Sequence, residues 1–176
     1  MIAIVAVFFI FLIFFGFIGA SRGWAKEILV IASVGLAIAV WVLLEYFLKI
    51  STFVKDATIL YWIKMAILVT MVIFGYQTPK VQRIAKATEK RAVIGEKLLG
   101  FVFGMVSGYF VIGTAWWLSE GAGYPLLNKF IRPPAVEFAE LTERVLNILP
   151  PTWLDTPVPV FIFVVVIFVF IMVYFI

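Results

Sequence analysis

Apolar residues run along this chain in blocks about as long as a membrane is thick, and polar residues gather between the blocks. Residues 1–20 hold no charge, no hydroxyl and no proline. Four further apolar stretches follow, and the pattern predicts transmembrane helices over residues 2–19, 28–47, 57–76, 98–118 and 158–176. The last of these has an uninterrupted core over 160–176, just long enough to cross. A hydrocarbon core of about 30 Å takes about 20 helical residues, and in lipid every backbone N–H and C=O must be paired within the chain. A cleaved signal peptide is the competing reading of the first block. The basic segment that normally precedes such a peptide is absent, and the apolar run exceeds its usual length.

Two polar segments carry a helical period of their own. Over residues 79–95, Val81, Ile84, Ala85, Thr88 and Ala92 recur on one side while Lys80, Arg83, Lys90 and Arg91 fall elsewhere. This predicts a basic amphipathic helix lying on a membrane surface. After Pro133 and Pro134, Phe138, Leu141, Val145 and Ile148 alternate with Glu137, Glu140 and Arg144, which predicts a second short helix ended by Pro150 and Pro151. The fold class that follows is all-α: a polytopic membrane protein of about five transmembrane helices plus one or two short amphipathic helices. Its expected organisation is a four-helix core over 1–118, an outer-face loop over 119–157 and a last helix over 158–176.

Composition agrees. The chain is 65% hydrophobic, 18% aromatic and 14% charged, far from the balance of a soluble domain. It has no cysteine and no histidine, so thiolate chemistry, thiolate metal sites and the commonest haem ligand and proton shuttle are missing. With no acid expected at depth either, the nucleophile–base and carboxylate pairs of intramembrane hydrolases find no residues here, and the chain reads as not an enzyme. No cofactor, metal or catalytic residue is assigned. Lys64 is the single charge inside the third block, close enough to its end for the side chain to snorkel outward past Tyr61 and Trp62. No aromatic interleaves the basic residues of 79–95, which argues against nucleic acid.

Charge also sets an orientation. Arg22, Lys26, Lys80, Arg83, Lys86, Lys90, Arg91 and Lys97 fall on one side of the alternating blocks, whereas Lys49, Lys55, Lys129, Arg132 and Arg144 fall on the other. The positive-inside rule makes the richer side cytoplasmic, with the N-terminus outside and the C-terminus inside.

Small residues mark where helices meet. Gly100, Gly104 and Gly108 stand four apart with Ser107 beside the last, leaving one helix face bare for a close neighbour. Ala32, Gly35 and Ala39 offer a matching face, as do Gly16, Gly19 and Gly23. Packing within the chain is expected to use these faces before a homodimer does. Eleven of the nineteen phenylalanines lie in the first and fifth blocks, which are therefore expected to face lipid, pigment or another protein.

Two motifs resemble a known family. Arg22-Gly23-Trp24-Ala25-Lys26-Glu27 is similar to the Arg-Gly-aromatic-x-x-Glu signature of the colicin V production (CvpA) family. Residues 96–108, opening Glu96-Lys97 and carrying Gly100, Gly104 and Gly108, resemble its Asp-Arg-x-x-Gly-x-x-x-Gly-x-x-x-Gly segment. The order and separation also match, over residues 1–118. Glu96-Lys97 replaces the usual Asp-Arg, Ser107 stands where an arginine is common, and the fifth block exceeds the family's four-helix core. The resemblance implies a multi-pass bacterial inner-membrane protein linked to colicin V export and envelope upkeep, a family without a settled biochemical activity. At the first motif, Arg22 is expected to pair with a headgroup phosphate or with Glu96, Gly23 to permit a tight reversal, and Arg22, Glu27 and Glu96 to form an inner-face charge clamp. The function expected is a non-catalytic structural or accessory subunit of a larger bacterial membrane complex, energy-transducing or envelope-related. The alternative is a component of a transport or secretion system.

Overall fold

The computed structural model describes residues 4–77, 90–125 and 136–175. Those residues form eight helices: α1 (Ile4–Arg22), α2 (Trp24–Leu48), α3 (Ile50–Phe53), α4 (Ala57–Tyr76), α5 (Lys90–Gly121), α6 (Val136–Leu146), α7 (Pro150–Trp153) and α8 (Pro157–Phe175). No strand occurs among the described residues, and the fold is all-α. Four helices, α1, α2, α4 and α5 from Ile94, are long and apolar enough to cross a membrane. The expected fifth span is shorter: α8 contributes an apolar stretch of 17 residues, Pro157–Val173, about 26 Å at the helical rise.

Local chemistry ends each helix where it does. Between α1 and α2, Gly23 has φ 90° and ψ 145°, a conformation that a side chain would strain. The last turn of α2 closes on Lys49 at φ 46°, whose N–H donates to the Glu45 carbonyl. The Glu45 carboxylate then accepts from the Ser51 N–H at 3.1 Å and from its hydroxyl, which holds that left-handed turn in place. Asp56 caps α4 by accepting from the Thr58 N–H at 2.8 Å.

Helix α2 is the centre of the bundle and touches α4, α5 and α8. Val30, Val34, Ala37 and Ile38 are completely enclosed along its length. Helix α4 runs antiparallel to it: Gly75 packs on Ser33 and the Leu29 carbonyl, while Lys64 and Glu45 share a cleft at the other end. Helix α1 runs antiparallel to α5, with Gly19 against Gly100 and Gly104, Phe15 against Gly108, and Phe8 against Trp116. Two ends can therefore be named, the Arg22 end and the Trp116 end.

Several expectations change. Helix α5 has 32 residues, about 48 Å, and overruns the predicted 98–118 block at both ends. The amphipathic stretch expected over 79–95 lies outside the described residues up to 89, and from Lys90 the chain already belongs to α5. Helix α6 occupies its predicted place with its inward face turned from the expected one, keeping Val145 but not Leu141, while the expected Phe138 side chain lies outside the described ones. Thr142 and Val145 are buried in line with Leu149, whereas Leu141 and Ile148 are 46% and 61% exposed. Ile148 lies beyond the last residue of α6, so it no longer shares the helical face on which the period placed it.

The Phe-rich helices divide their faces. Phe9, Phe14 and Phe17 of α1 point outward, but Val5, Phe8, Gly16 and Gly19 are buried, so α1 belongs to the packed core. Phe161 and Phe168 of α8 are exposed, yet Phe163 stacks on Phe110 at 5.5 Å and lies over Gly35. Gly35 therefore receives α8, where the small-residue pattern had matched it to α5. Helix α8 packs onto the bundle through α2.

Candidate functional site

The Gly23 turn brings the last residue of α1, Arg22, round to Glu27 in the first turn of α2. Glu27 is fully buried. Its Oε1 accepts from Arg22 Nη1 at 2.7 Å, and its Oε2 accepts from the Ser107 hydroxyl of α5 at 2.6 Å. Arg22 Nη2 also donates to the Tyr76 carbonyl at the end of α4, at 3.4 Å, and the guanidinium carbon lies 4.1 Å from the centroid of the Tyr76 ring. One charge pair thus joins α1, α2, α4 and α5.

The arrangement answers a physical problem. Burying a carboxylate costs several kcal/mol unless a counter-charge and hydrogen bonds replace its water, and here a cation and a hydroxyl each take one oxygen. Arg22 keeps 19% of its side chain exposed, so its own desolvation is partial. Its place over the Tyr76 face adds about 1 kcal/mol. With both oxygens engaged and no solvent contact, Glu27 ties α1, α2 and α5 together. The Tyr76 hydroxyl is buried beside this cluster, next to Ser107 and Arg22.

Arg22, Gly23 and Glu27 are brought together at one site. Glu96 does not take the expected role of Arg22's partner: the ion pair is Arg22–Glu27. Glu96 is half-buried, with Oε1 3.6 Å from the point where a Cβ on Gly23 would stand. Glu27, expected at a membrane boundary, is enclosed among the helices there and is the largest fully buried polar side chain among the described residues. Gly100 and Gly104 form a close seam with α1: a Cβ on either would come within 2.5 Å of a backbone oxygen of α1. Gly108 instead receives the Phe15 side chain, 2.7 Å from the same construction.

Ser107 and Tyr76 were missed as members of the site. In the sequence Ser107 reads as a small packing residue where an arginine is common in the resembling family, and that departure is the available signal. A serine beside a buried carboxylate donates where an arginine would add a second charge. Lys64 also has an acid near it, since Lys64 of α4 and Glu45 of α2 line the same cleft with Trp41 and Ile63. Comparisons of the chain with protein-family models, with curated proteins and with solved structures each find no match.

Proposed function

We propose that this chain is a non-catalytic integral membrane protein, serving as a structural or accessory subunit of a larger bacterial inner-membrane assembly. The observation that carries this reading is the use of the buried charge: both oxygens of Glu27 are committed to Arg22 and Ser107, so the cluster serves to join helices. The outward apolar faces of α1, α4 and α8 support it too, since Phe17, Phe74 and Phe161 offer broad contact area to lipid or to neighbouring subunits. The lysine and arginine distribution favours an external N-terminus and a cytoplasmic C-terminus. The colicin V production resemblance is the basis for placing the chain in the inner membrane.

Purification of tagged protein from its own membranes in a gentle detergent tests the reading. Partner proteins at fixed stoichiometry, retained after size exclusion, are the expected result. The alternative is a transport or secretion component, and it is favoured by one feature, an acid enclosed in a membrane-length helix beside the buried hydroxyl of Tyr76. A homo-oligomer that conducts solute in liposomes, and that loses conduction on Glu27→Gln, would replace the subunit reading.

A further inference from the structure

Gly113 of α5 still meets Phe8 of α1, and past it the α1–α5 seam changes character. Ile4, Val7, Phe8 and Phe11 on α1 face Ile112, Ala115, Trp116 and Ser119 on α5. Each set has the i, i+3, i+4, i+7 spacing of one helical face. Between the two stripes a cavity of about 230 Å³ stays open at the Trp116 end. Phe8 and Trp116, buried with their ring centroids 5.4 Å apart, make its floor, and Phe11 is exposed at its rim.

The polar groups of the lining are already used. The Ser119 hydroxyl donates to the Ala115 carbonyl at 2.8 Å, and the Trp116 indole N–H donates to the Tyr124 hydroxyl at 3.2 Å. Burial, and then Glu120 beside it, pushes the Tyr124 pKa up to about 12, so the Tyr124 hydroxyl keeps its proton and its bond to Trp116 at neutral pH. A water in the cavity would lack the two to four partners it needs. Left empty, the lining would forgo its dispersion contacts.

The geometry points to a binding site for one lipid acyl chain, seated between α1 and α5 at the Trp116 end. The inference rests on the reading that α1 and α5 cross a bilayer. Both are long and apolar enough to do so, and Phe9, Ile10 and Phe14 beside the cavity are exposed on the outer surface of α1. The medium at the mouth is then hydrocarbon, and a cavity of this size admits part of a chain while leaving the headgroup outside.

Nanodiscs of phosphatidylcholine carrying a diazirine midway along one acyl chain provide the test, with adducts mapped by mass spectrometry after irradiation. Labelling of the cavity residues on α1 and α5 should exceed that of Phe161 and Phe168, which meet bulk lipid, by several-fold. Ala115→Phe, which fills the cavity, should lower cavity labelling several-fold and leave α8 unchanged. Val7→Phe does the same from the opposite wall, so a folding defect in one variant does not decide the matter. Equal labelling of cavity and α8, or cavity labelling that survives both substitutions, overturns the site. Loss of α8 labelling as well overturns the bilayer placement beneath it.

Discussion

Removing Arg22 would leave the Glu27 carboxylate sealed among helices with its charge unanswered, whereas removing both charges would leave a polar but neutral side chain with a hydroxyl neighbour. Taking one partner from a buried pair costs about 3–5 kcal/mol. The partial exposure of Arg22 moves the expected loss for Arg22→Ala to the lower end, about 3 kcal/mol. Glu27→Gln should cost less, because the amide keeps a hydrogen bond with Ser107 and Arg22 can turn its charge toward water. The Arg22→Ala/Glu27→Gln double variant should then be more stable than Arg22→Ala alone, as read by reversible detergent unfolding. A double variant as weak as the sum of the singles would mean that the pair is not coupled. The Arg22-Gly23-x-x-x-Glu27 sequence placed these residues at one turn, but it did not say which way the carboxylate would face. That depends on the rotation of α2 against α5, and the link to Ser107 spans 80 positions. A local motif carries no information about a partner so far along the chain.

At the level of whole helices, length and apolar content are properties of contiguous residues, which is why α1, α2, α4 and α8 stood close to their predicted ranges. Faces were harder to read. In a helix apolar all round, hydrophobicity no longer distinguishes the side that meets protein from the side that meets lipid, and small residues become the better guide. They placed the seam on Gly100 and Gly104 and offered Gly19 as its partner, but they also offered Gly35, which accepts a phenylalanine ring from α8 instead. The α1–α5 seam yields a paired prediction. In Gly19→Ala the new methyl would lie 2.2 Å from the Gly100 carbonyl oxygen and 2.6 Å from the Gly104 Cα, so backbones must separate. Association in lipid depends on close van der Waals contact, and a loss of about 2 kcal/mol or more is expected from the forced separation. Gly95→Ala, in the same α5 with nothing within 4 Å of the added carbon, should instead stabilise by up to about 1 kcal/mol through helix propensity. Thermal unfolding of the two variants side by side checks the signs, and a destabilised Gly95→Ala or a neutral Gly19→Ala would contradict this packing.

Across the described residues, the antiparallel pairings of α1 with α5 and of α2 with α4 give one bundle with two ends, and α4 finishes at the Arg22 end, where α5 begins. Glu27 and Glu45 mark those ends on a single helix: 18 residues of α2 separate them, about 27 Å at the helical rise. Each has a basic side chain beside it, Arg22 at one end and Lys64 at the other. That distance is close to the thickness of a hydrocarbon core, so the two acids sit near the levels where a bilayer would begin and end. Residue 86 follows α4 in sequence and precedes α5 at the Arg22 end, while residue 137 follows α5 at the Trp116 end. The native chain has no cysteine, so Lys86→Cys and Glu137→Cys each carry a single reporting thiol. If the bundle crosses the membrane with its Lys- and Arg-rich side in the cytoplasm, a membrane-impermeant maleimide applied to intact cells should label Glu137→Cys and spare Lys86→Cys until the membrane is opened. The reverse pattern would keep the bundle and invert its orientation. Labelling of both thiols from one side would mean that α5 does not span the bilayer between them, and the placement of the Glu27 cluster within a membrane would fall with it.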